Sequence, residues 1–310
     1  MTDADRRIAA IATGQLGTFT RAQATDVGLS DRQLRSRVAS GSLIKTGPNS
    51  FRIAGTPASP LSQLRGLVGD VGGEVWVSGP TAAALHGFEG YRLDRPFHLT
   101  VPARRCVTRR AAVIHRSADL DPIDRATVDG FSVTSGARTV IELARTAPFD
   151  ELDRLLENVF LRGLASEDFL VRRIAALRSS GRYGTPALLD ALDRRTLRGG
   201  TESWLEREYL RLVAREGLPA PLTQQTLTKA GDRLVRVDCR FPGTNVVVEL
   251  LGYRYHRSRS QMNRDAARLN ALIAEGFMPF QFTFDQVVDD PDRVVATTRL
   301  ALTLAHPRAC

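Results

Sequence analysis

Two apolar strands flank a turn in the stretch RVDCRFPGTNVVVELLGYRYH, residues 236–256, which decides the fold of the C-terminal third of the chain. If residues 243–244 form the loop, counting outward along both strands places Asp238 directly opposite Glu249. Opposite residues of a hairpin point to the same face, with Cβ atoms about 5 Å apart. Two carboxylates at that distance repel each other unless a cation lies between them. We therefore expect a cation site here, and Mg²⁺ suits it because hard cations take carboxylate oxygens.

The segments around the hairpin predict an α-β-β-β-α-β-α order for residues 199–310. The helix over 202–216 carries an apolar stripe at helical spacing, formed by Leu205, Tyr209, Leu212 and Val213. Periodicity and turn residues predict the remaining elements, which are a strand over 222–228, a helix over 261–275, a strand over 277–284 and a helix over 292–304.

This order resembles the PD-(D/E)XK nuclease fold, specifically the DUF559 family of very-short-patch-repair-like endonuclease domains. The motifs that carry the resemblance are Ser203-Trp-Leu-Glu206, Gly217-Leu-Pro219, Val237-Asp238, Val248-Glu249, Gly252, His256, Asp265 and Gly276-Phe277. The resemblance covers about residues 200–305 and implies that Asp238 and Glu249 bind Mg²⁺, with Glu206 approaching from the first helix. Such an ion activates a bound water and stabilises charge on the scissile phosphate. The resemblance therefore implies that the C-terminal domain is a Mg²⁺-dependent DNA endonuclease.

The chain departs from the nuclease motif two residues after Glu249. DUF559 sequences usually carry Asp at that position, where this chain has Leu251. Leucine neither ligates a metal nor stabilises a phosphate, so the cationic role would fall to Arg254 or His256, which follow closely. The alternative is a decayed nuclease fold that binds DNA without cutting it.

A second alternative treats Asp238 and Glu249 as a solvent-facing pair on a half-buried sheet. The opposite face of the hairpin is apolar throughout, as expected for a sheet that covers a core. The face with the two carboxylates also holds Val247 and Leu251, so it does not have the composition of a plain solvated surface.

Residues 57–198 predict a mixed α+β region followed by connecting helices. A helix is expected over 80–86, strands over 97–101, 112–116 and 131–134, and helices over 149–161, 167–178 and 186–193. His86, His98 and His115 are scattered without ligand spacing, which favours packed or surface histidines over a metal cluster. The basic, glycine-ended segment 194–200 predicts a hinge before the last domain.

Residues 1–56 predict a winged helix-turn-helix. Three helices are expected over 5–16, 21–27 and 31–40, followed by strands over 43–45 and 50–53. In that fold the second helix of the motif enters the major groove. The predicted DNA contacts are Arg32, Gln33, Arg35, Ser36 and Arg37 on the helix and Lys45 on the wing, because such side chains suit base edges and phosphates. The alternative is that these arginines only solvate a surface helix.

A second resemblance covers about residues 5–145. The motifs TRAQA (20–24), GLSDRQLR (28–35), VSGPTAAALHG (77–87), FHLTV (97–101), AVIHR (112–116) and RTVIELA (138–144) are similar to AbiEi-type antitoxins. The resemblance implies a DNA-binding regulator, and it does not imply that the chain neutralises a toxin. The further partners to consider are a cognate toxin and a second copy of the chain.

Composition agrees with a nucleic-acid partner without requiring one. The net charge is +9 with pI near 10.2, but an arginine- and alanine-rich chain is also what a GC-rich genome encodes. No apolar run reaches the length of a membrane span, and the first residues lack the order of a secretory signal. Three widely spaced cysteines favour a reduced, cytoplasmic setting.

The sequence thus predicts a multi-domain α/β protein with boundaries at 1–56, 57–198 and 199–310. Its expected function is DNA binding combined with a Mg²⁺-dependent, endonuclease-like C-terminal domain, in phage defence or DNA repair. The alternative is a non-enzymatic regulator of antitoxin type.

Overall fold

The chain is a multi-domain α/β protein in which both larger sheets are mixed. The computed structural model describes residues 2–118, 120–178, 185–199, 203–230, 233–252 and 259–307. Two compact units make up the chain, Met1–Leu143 with Glu157–Ala165, and Ala144–Leu156 with Ser166–Cys310. This division differs from the three predicted domains, which stay a prediction. No helix in the described part of the chain combines the length and apolar character that a membrane span requires.

The N-terminal elements follow the predicted order of three helices and a hairpin. Each helix begins with a capping box, whose N-cap hydroxyl comes from Thr2, Thr20 or Ser30. The first helix ends before the predicted residue 16, because Leu16 and Gly17 take left-handed backbone conformations. The elements are α1 (Asp3–Thr13), β1 (Thr18–Thr20), α2 (Arg21–Asp26), α3 (Asp31–Ala39), β2 (Leu43–Lys45) and β3 (Ser50–Ile53).

The three short strands form one sheet in the order β1-β3-β2, with antiparallel neighbours. The helices and this sheet share a core whose buried side chains include Phe19, Leu34 and Phe51. Leu34 points inward from α3, as predicted, so the polar side chains around it point outward.

A five-stranded sheet forms the centre of the middle region. The strand order is β6-β5-β4-β8-β7, and its core joins Leu64 and Val71 to Val77, Leu99 and Val133. The elements are α4 (Pro60–Val71), β4 (Trp76–Val77), α5 (Gly79–Leu85), β5 (Phe97–Pro102), β6 (Ala112–Ser117), a 3-10 turn (Pro122–Asp124), β7 (Arg125–Val128), β8 (Phe131–Thr134) and α6 (Gly136–Leu143).

Helix α4 has no counterpart in the predicted elements. It begins with the Ser59 cap and Pro60, but it contains Gly66 and Gly69, which lower helix propensity. The structure explains Gly69, because an added Cβ would lie 2.9 Å from Cγ2 of Thr20 on β1, closer than a Cβ normally comes to another heavy atom. Close packing against the N-terminal sheet thus favours glycine where propensity alone argues against a helix.

The predicted hinge at 194–200 is wrong where the structure describes it, because residues 194–199 continue a helix. The three connecting helices are α7 (Phe149–Leu161), α8 (Glu167–Leu177) and α9 (Thr185–Gly199). Arg194 forms ion pairs with Asp190 and, at 3.6 Å, with Asp153, and its guanidinium lies 3.8 Å from the Phe149 ring centre. The basic residue at the start of this segment therefore attaches α9 to α7.

The C-terminal elements follow the predicted order with one addition, the short helix α12. They are α10 (Trp204–Arg215), β9 (Leu222–Ala230), β10 (Arg233–Arg240), β11 (Val246–Leu251), α11 (Arg259–Ala274), β12 (Met278–Thr283), α12 (Phe284–Asp289) and α13 (Pro291–Leu304). The sheet order is β12-β11-β10-β9, and β12 runs parallel to β11 because α11 connects them. That these elements form a nuclease fold stays a prediction.

Candidate functional site

The hairpin has the register that the sequence predicts. Cys239 pairs with Val248 and Arg240 with Val247, which sets Asp238 opposite Glu249. The predicted apolar side of the hairpin is buried, with Val237, Cys239 and Phe241 fully enclosed. Glu249 is only 5% exposed, so the alternative of a solvent-facing pair is wrong for this residue.

The regular pairing of β10 with β11 stops at Asp238. Beyond the paired residues, the Leu250 N–H donates to the Asp238 carboxylate at 2.7 Å. The side chain thereby occupies a donor that a continuing antiparallel ladder would direct to a backbone carbonyl. The two strands part at this point, and the Asp238 carboxylate lies in the gap between them.

Glu249 is held by residues from two other elements. Arg268 of α11 donates to one carboxylate oxygen through Nε at 2.9 Å and Nη2 at 2.6 Å. Gln281, its register partner on β12, donates to the other oxygen at 3.0 Å. Both oxygens of this buried carboxylate therefore have protein partners, and one partner is a cation.

Glu206 approaches the cluster from the first turn of α10, as the resemblance implies. Ser203 caps this helix by accepting from the Glu206 N–H at 3.1 Å, but the Glu206 side chain does not return to the cap. It accepts a hydrogen bond from Gln224 Nε2 instead. Gln224 has φ of +53°, a left-handed conformation that is strained for a side chain of this type.

The three carboxylates are close enough to affect one another. Burial raises the pKa of the Asp238 carboxyl to about 6, against the opposing effect of the Leu250 N–H donor. The charges of Glu206 and Glu249 raise this pKa further, and the Arg268 guanidinium lowers it. Among the described residues, the cluster therefore carries three acidic groups against one arginine, which favours a proton or a further cation at Asp238.

The donor set suits Mg²⁺ chemically, but its placement does not fit a bound ion. Among the described residues, no group of three His, Cys, Asp or Glu side chains is placed to hold a metal. Arg268 and Gln281 occupy the two oxygens through which Glu249 would ligate. Arg268 therefore supplies at Glu249 the positive charge that the sequence assigned to Mg²⁺.

The other predicted catalytic residues divide into two groups. Arg254 and His256 lie outside the described residues. Leu251 is half-buried and pairs with Thr283 on β12, so it adds no polar group to the cluster. The sequence reasoning missed Gln224, Arg268 and Gln281. Their only sequence signal is their location on the predicted elements that flank the hairpin.

The predicted DNA-contacting residues of α3 have different roles. Gln33 accepts from the Ser30 N–H at 2.8 Å and completes the capping box. Arg37 donates to Asp5 Oδ1 at 2.7 Å and so joins α3 to α1. These two side chains are therefore engaged in holding the helix.

The remaining predicted contacts are exposed. Arg32, Arg35, Ser36 and Lys45 all point to solvent, and the three basic groups form no ion pair with a described residue. Arg21 connects α3 to the hairpin turn, because it pairs with Asp31 and donates to the Pro48 carbonyl at 3.5 Å. Arg21 thus links the first residue of α3 to the hairpin turn.

Two of the scattered histidines meet on the middle sheet. His98 Nδ1 and His115 Nε2 lie 3.1 Å apart, and their rings stack with centres 5.3 Å apart. Burial lowers the pKa of the His98 imidazole, and the His115 charge lowers it further. His86 lies elsewhere, with Nε2 at 2.8 Å from the Thr134 carbonyl oxygen. In the described part of the chain these histidines join no metal-holding group.

One family model matches part of the chain. Residues 76–187 match the family model of the AbiEi antitoxin C-terminal domain. No curated protein matches. Among solved structures, the chain is similar to the RV2827C protein from Mycobacterium tuberculosis, with 15% identity and a TM-score of 0.45, over 62% of this chain and 78% of that one. The match at residues 76–187 suggests a role in a toxin–antitoxin or abortive-infection system.

Proposed function

We propose that the chain is a DNA-binding regulator of antitoxin type, in which residues 1–56 act as a winged helix-turn-helix. The supporting observation is that helix α3, with Arg32 and Arg35 exposed, is in the same compact unit as most of the region that matches the AbiEi antitoxin C-terminal domain. In this proposal α3 enters the major groove and the β2–β3 hairpin is the wing. A cognate toxin is the second proposed partner.

Footprinting of the full chain on the region upstream of its own gene tests this function. We expect a protected site in the unchanged chain and its loss in Arg35→Ala, because an exposed arginine on the recognition helix reads bases or phosphates. Arg104→Ala is the matched control, since Arg104 is an exposed arginine of the same unit that pairs with Glu74. Undiminished protection in Arg35→Ala and Arg32→Ala, or no salt-dependent DNA binding by the unchanged chain, contradicts the proposal.

A second candidate function is Mg²⁺-dependent DNA cleavage by the C-terminal unit. The observation in its favour is the group of Glu206, Asp238 and Glu249, in which burial, with the two glutamate charges adding to it, raises the pKa of Asp238 to about 6. This candidate requires Arg268 to move away from Glu249 when an ion binds, because the arginine and the ion would need the same carboxylate.

A cleavage assay on single- and double-stranded DNA with Mg²⁺ or Mn²⁺ decides the second candidate. It requires cutting that is lost in Asp238→Ala while DNA binding remains, with Asp292→Ala as a control at an exposed acidic residue. DNA binding without cleavage in the presence of either ion would contradict the endonuclease function and would remain consistent with the regulator.

A further inference from the structure

A cavity of about 640 Å³ lies beside the turn of the β2–β3 hairpin, within the first unit. The hairpin turn forms one wall through Gly47 and Pro48. The opposite wall comes from the middle region, through Asp70 of α4 and the arginines Arg95, Arg109 and Arg110. The cavity thus joins the proposed DNA-binding module to the region that follows it in sequence.

Asp70 fixes the hairpin turn against this wall. Its carboxylate is 2% exposed and accepts hydrogen bonds from the Asn49 N–H and from Arg109 Nε. A Cβ added at Gly47 would lie 2.5 Å from Asp70 Cγ, so only glycine allows this close approach. The turn and the cavity wall therefore form one connected structure.

Arg109 neutralises the one carboxylate in the cavity wall. Besides its bond to the Asp70 side chain, it donates to the Asp70 carbonyl at 3.0 Å and to the Thr108 carbonyl at 2.9 Å. Its hydrogen-bonding groups are thereby engaged. The negative charge of Asp70 is therefore balanced by Arg109, and it does not neutralise the positive charges of Arg95 and Arg110.

Arg95 and Arg110 supply the free positive charge of the cavity. Both are exposed, and neither forms an ion pair with a described residue. None of the described lining residues is aromatic, so nothing in the cavity wall would stack against a base. Guanidinium groups without an aromatic platform suit phosphate oxygens, to which arginine donates two parallel hydrogen bonds.

One residue, Arg21, links the cavity wall to the proposed recognition helix. Arg21 pairs with Asp31 at the start of α3 and donates to the carbonyl of Pro48, which lines the cavity. A duplex on α3 therefore runs close to the hairpin turn, and a phosphate beside that turn lies near Arg95 and Arg110.

We propose that Arg95 and Arg110 bind backbone phosphates of the same duplex that α3 contacts, so that the DNA-binding surface extends into the middle region. This inference rests on the proposed DNA-binding function. The contacts position the protein and add affinity without reading sequence, because phosphates are the same at every base pair.

The salt dependence of DNA binding tests this assignment. The probe is a mixed-sequence duplex of about 30 base pairs, titrated with the full chain at salt concentrations between about 50 and 200 mM. Each phosphate contact contributes about 0.9 to the slope of log K against log salt, so Arg95→Ala/Arg110→Ala should reduce the slope by about 2. Arg95→Lys/Arg110→Lys should restore most of it, since the charges return.

The control is Arg104→Ala/Arg116→Ala, which removes two exposed charges of the same unit outside the cavity. An unchanged slope in the cavity variant, or an equal loss in the control, overturns the phosphate site. If Arg35→Ala abolishes protection of the upstream site while the cavity variant keeps its slope, only the phosphate contacts of Arg95 and Arg110 are contradicted, and the proposed DNA-binding regulator is supported. If the unchanged chain binds no duplex, both fail.

Discussion

Asp238 combines a structural and an electrostatic role at one position. Its carboxylate takes the Leu250 N–H where the two strands part, so it cannot be replaced by an apolar residue without leaving that donor unpaired. The same carboxylate lies near Glu206 and Glu249, and among the described residues the Arg268 guanidinium is the positive charge that acts on it. We expect the fold to tolerate Asp238 best in its neutral form.

Asp238→Asn should stabilise the chain at neutral pH. The pKa of Asp238 is about 6 in the fold and 3.8 ordinarily, so its protonated form is favoured on folding. The stabilisation is fully present below the unfolded pKa and is lost as pH rises through about 6. Asparagine remains neutral and still accepts from Leu250. In urea unfolding, we expect the variant to gain about 2 kcal/mol over the unchanged chain between about pH 4 and 7.

Asp292→Asn is the control for that measurement, because Asp292 is exposed in the first turn of α13. Its stability difference from the unchanged chain should vary little over the same pH range. A gain for Asp238→Asn that does not change with pH would contradict the assigned pKa.

Arg268→Ala should weaken the fold and open Glu249 to a divalent ion. The change leaves a buried carboxylate without its cation, which costs about 2 kcal/mol because Arg268 itself is partly exposed. Mn²⁺ should then raise the Tm of the variant, since an ion that binds only the folded state stabilises it. Arg264→Ala, an exposed site on the same helix, should show neither effect. An equal Mn²⁺ response in the unchanged chain would mean that Arg268 does not exclude the ion.

At the scale of elements, helix α3 separates residues that hold the helix from residues that are free to bind. Gln33 completes the cap and Arg37 pairs with Asp5, whereas Arg32 and Arg35 have no described ionic partner. A helical wheel cannot make this distinction, because all four side chains lie on the polar side of one short helix.

Arg37→Ala should lower the Tm of the first unit by a few degrees, whereas Arg35→Ala should leave it unchanged. The pKa of Asp5 is lowered to about 2, by the Thr2 N–H first and by Arg37 next, so the pair is present at any pH above the ordinary value of 3.8. Its contribution is lost only as pH falls through about 2. Thermal unfolding at neutral pH measures the difference. Equal Tm values for the two variants would contradict the division of roles.

The whole molecule has two units, each with its own buried network. In the first unit, Arg138 is 6% exposed and donates to Asp124 and Glu142, each at 2.9 Å. In the second unit, Trp204 packs on Phe284 and donates to Asp168 at 2.8 Å. We expect changes in the two networks to act independently, since each network lies in its own compact unit.

Arg138→Ala should destabilise the first unit by about 3 kcal/mol, because it removes the guanidinium that pairs with the fully buried Asp124. The two tryptophans separate the units, with Trp76 in the first and Trp204 in the second. Thermal unfolding followed by fluorescence in Trp204→Phe and Trp76→Phe backgrounds should show an early transition only for Trp76. Arg104→Ala, which removes one partner of an exposed ion pair, should change the free energy of unfolding of neither unit by more than about 1 kcal/mol. An equal shift of both tryptophan signals would contradict independence.

The local elements could be predicted where the sequence repeats a short-range pattern. Strand alternation and turn position set the hairpin register of Asp238 and Glu249, and the caps Thr20 and Ser30 set the starts of α2 and α3. The same local signals failed at α4, where Gly69, which close packing against Thr20 requires, lowers the helix propensity. They also failed at residues 194–199, where ion pairs with Asp190 and Asp153 stabilise a helix in a segment with the composition of a hinge.

The sequence by itself determined the three N-terminal helices with their hairpin, most elements of the C-terminal segment, and the shared position of the two acidic residues, because those depend on spacing along one chain. Only the tertiary structure decided which charges meet. It brought Arg268 from α11 to Glu249, Gln224 from β9 to Glu206, and Arg109 to Asp70 across 39 residues of sequence. The partner of a buried charge depends on which distant segments fold onto one another, and a local sequence pattern does not predict which segment supplies that partner.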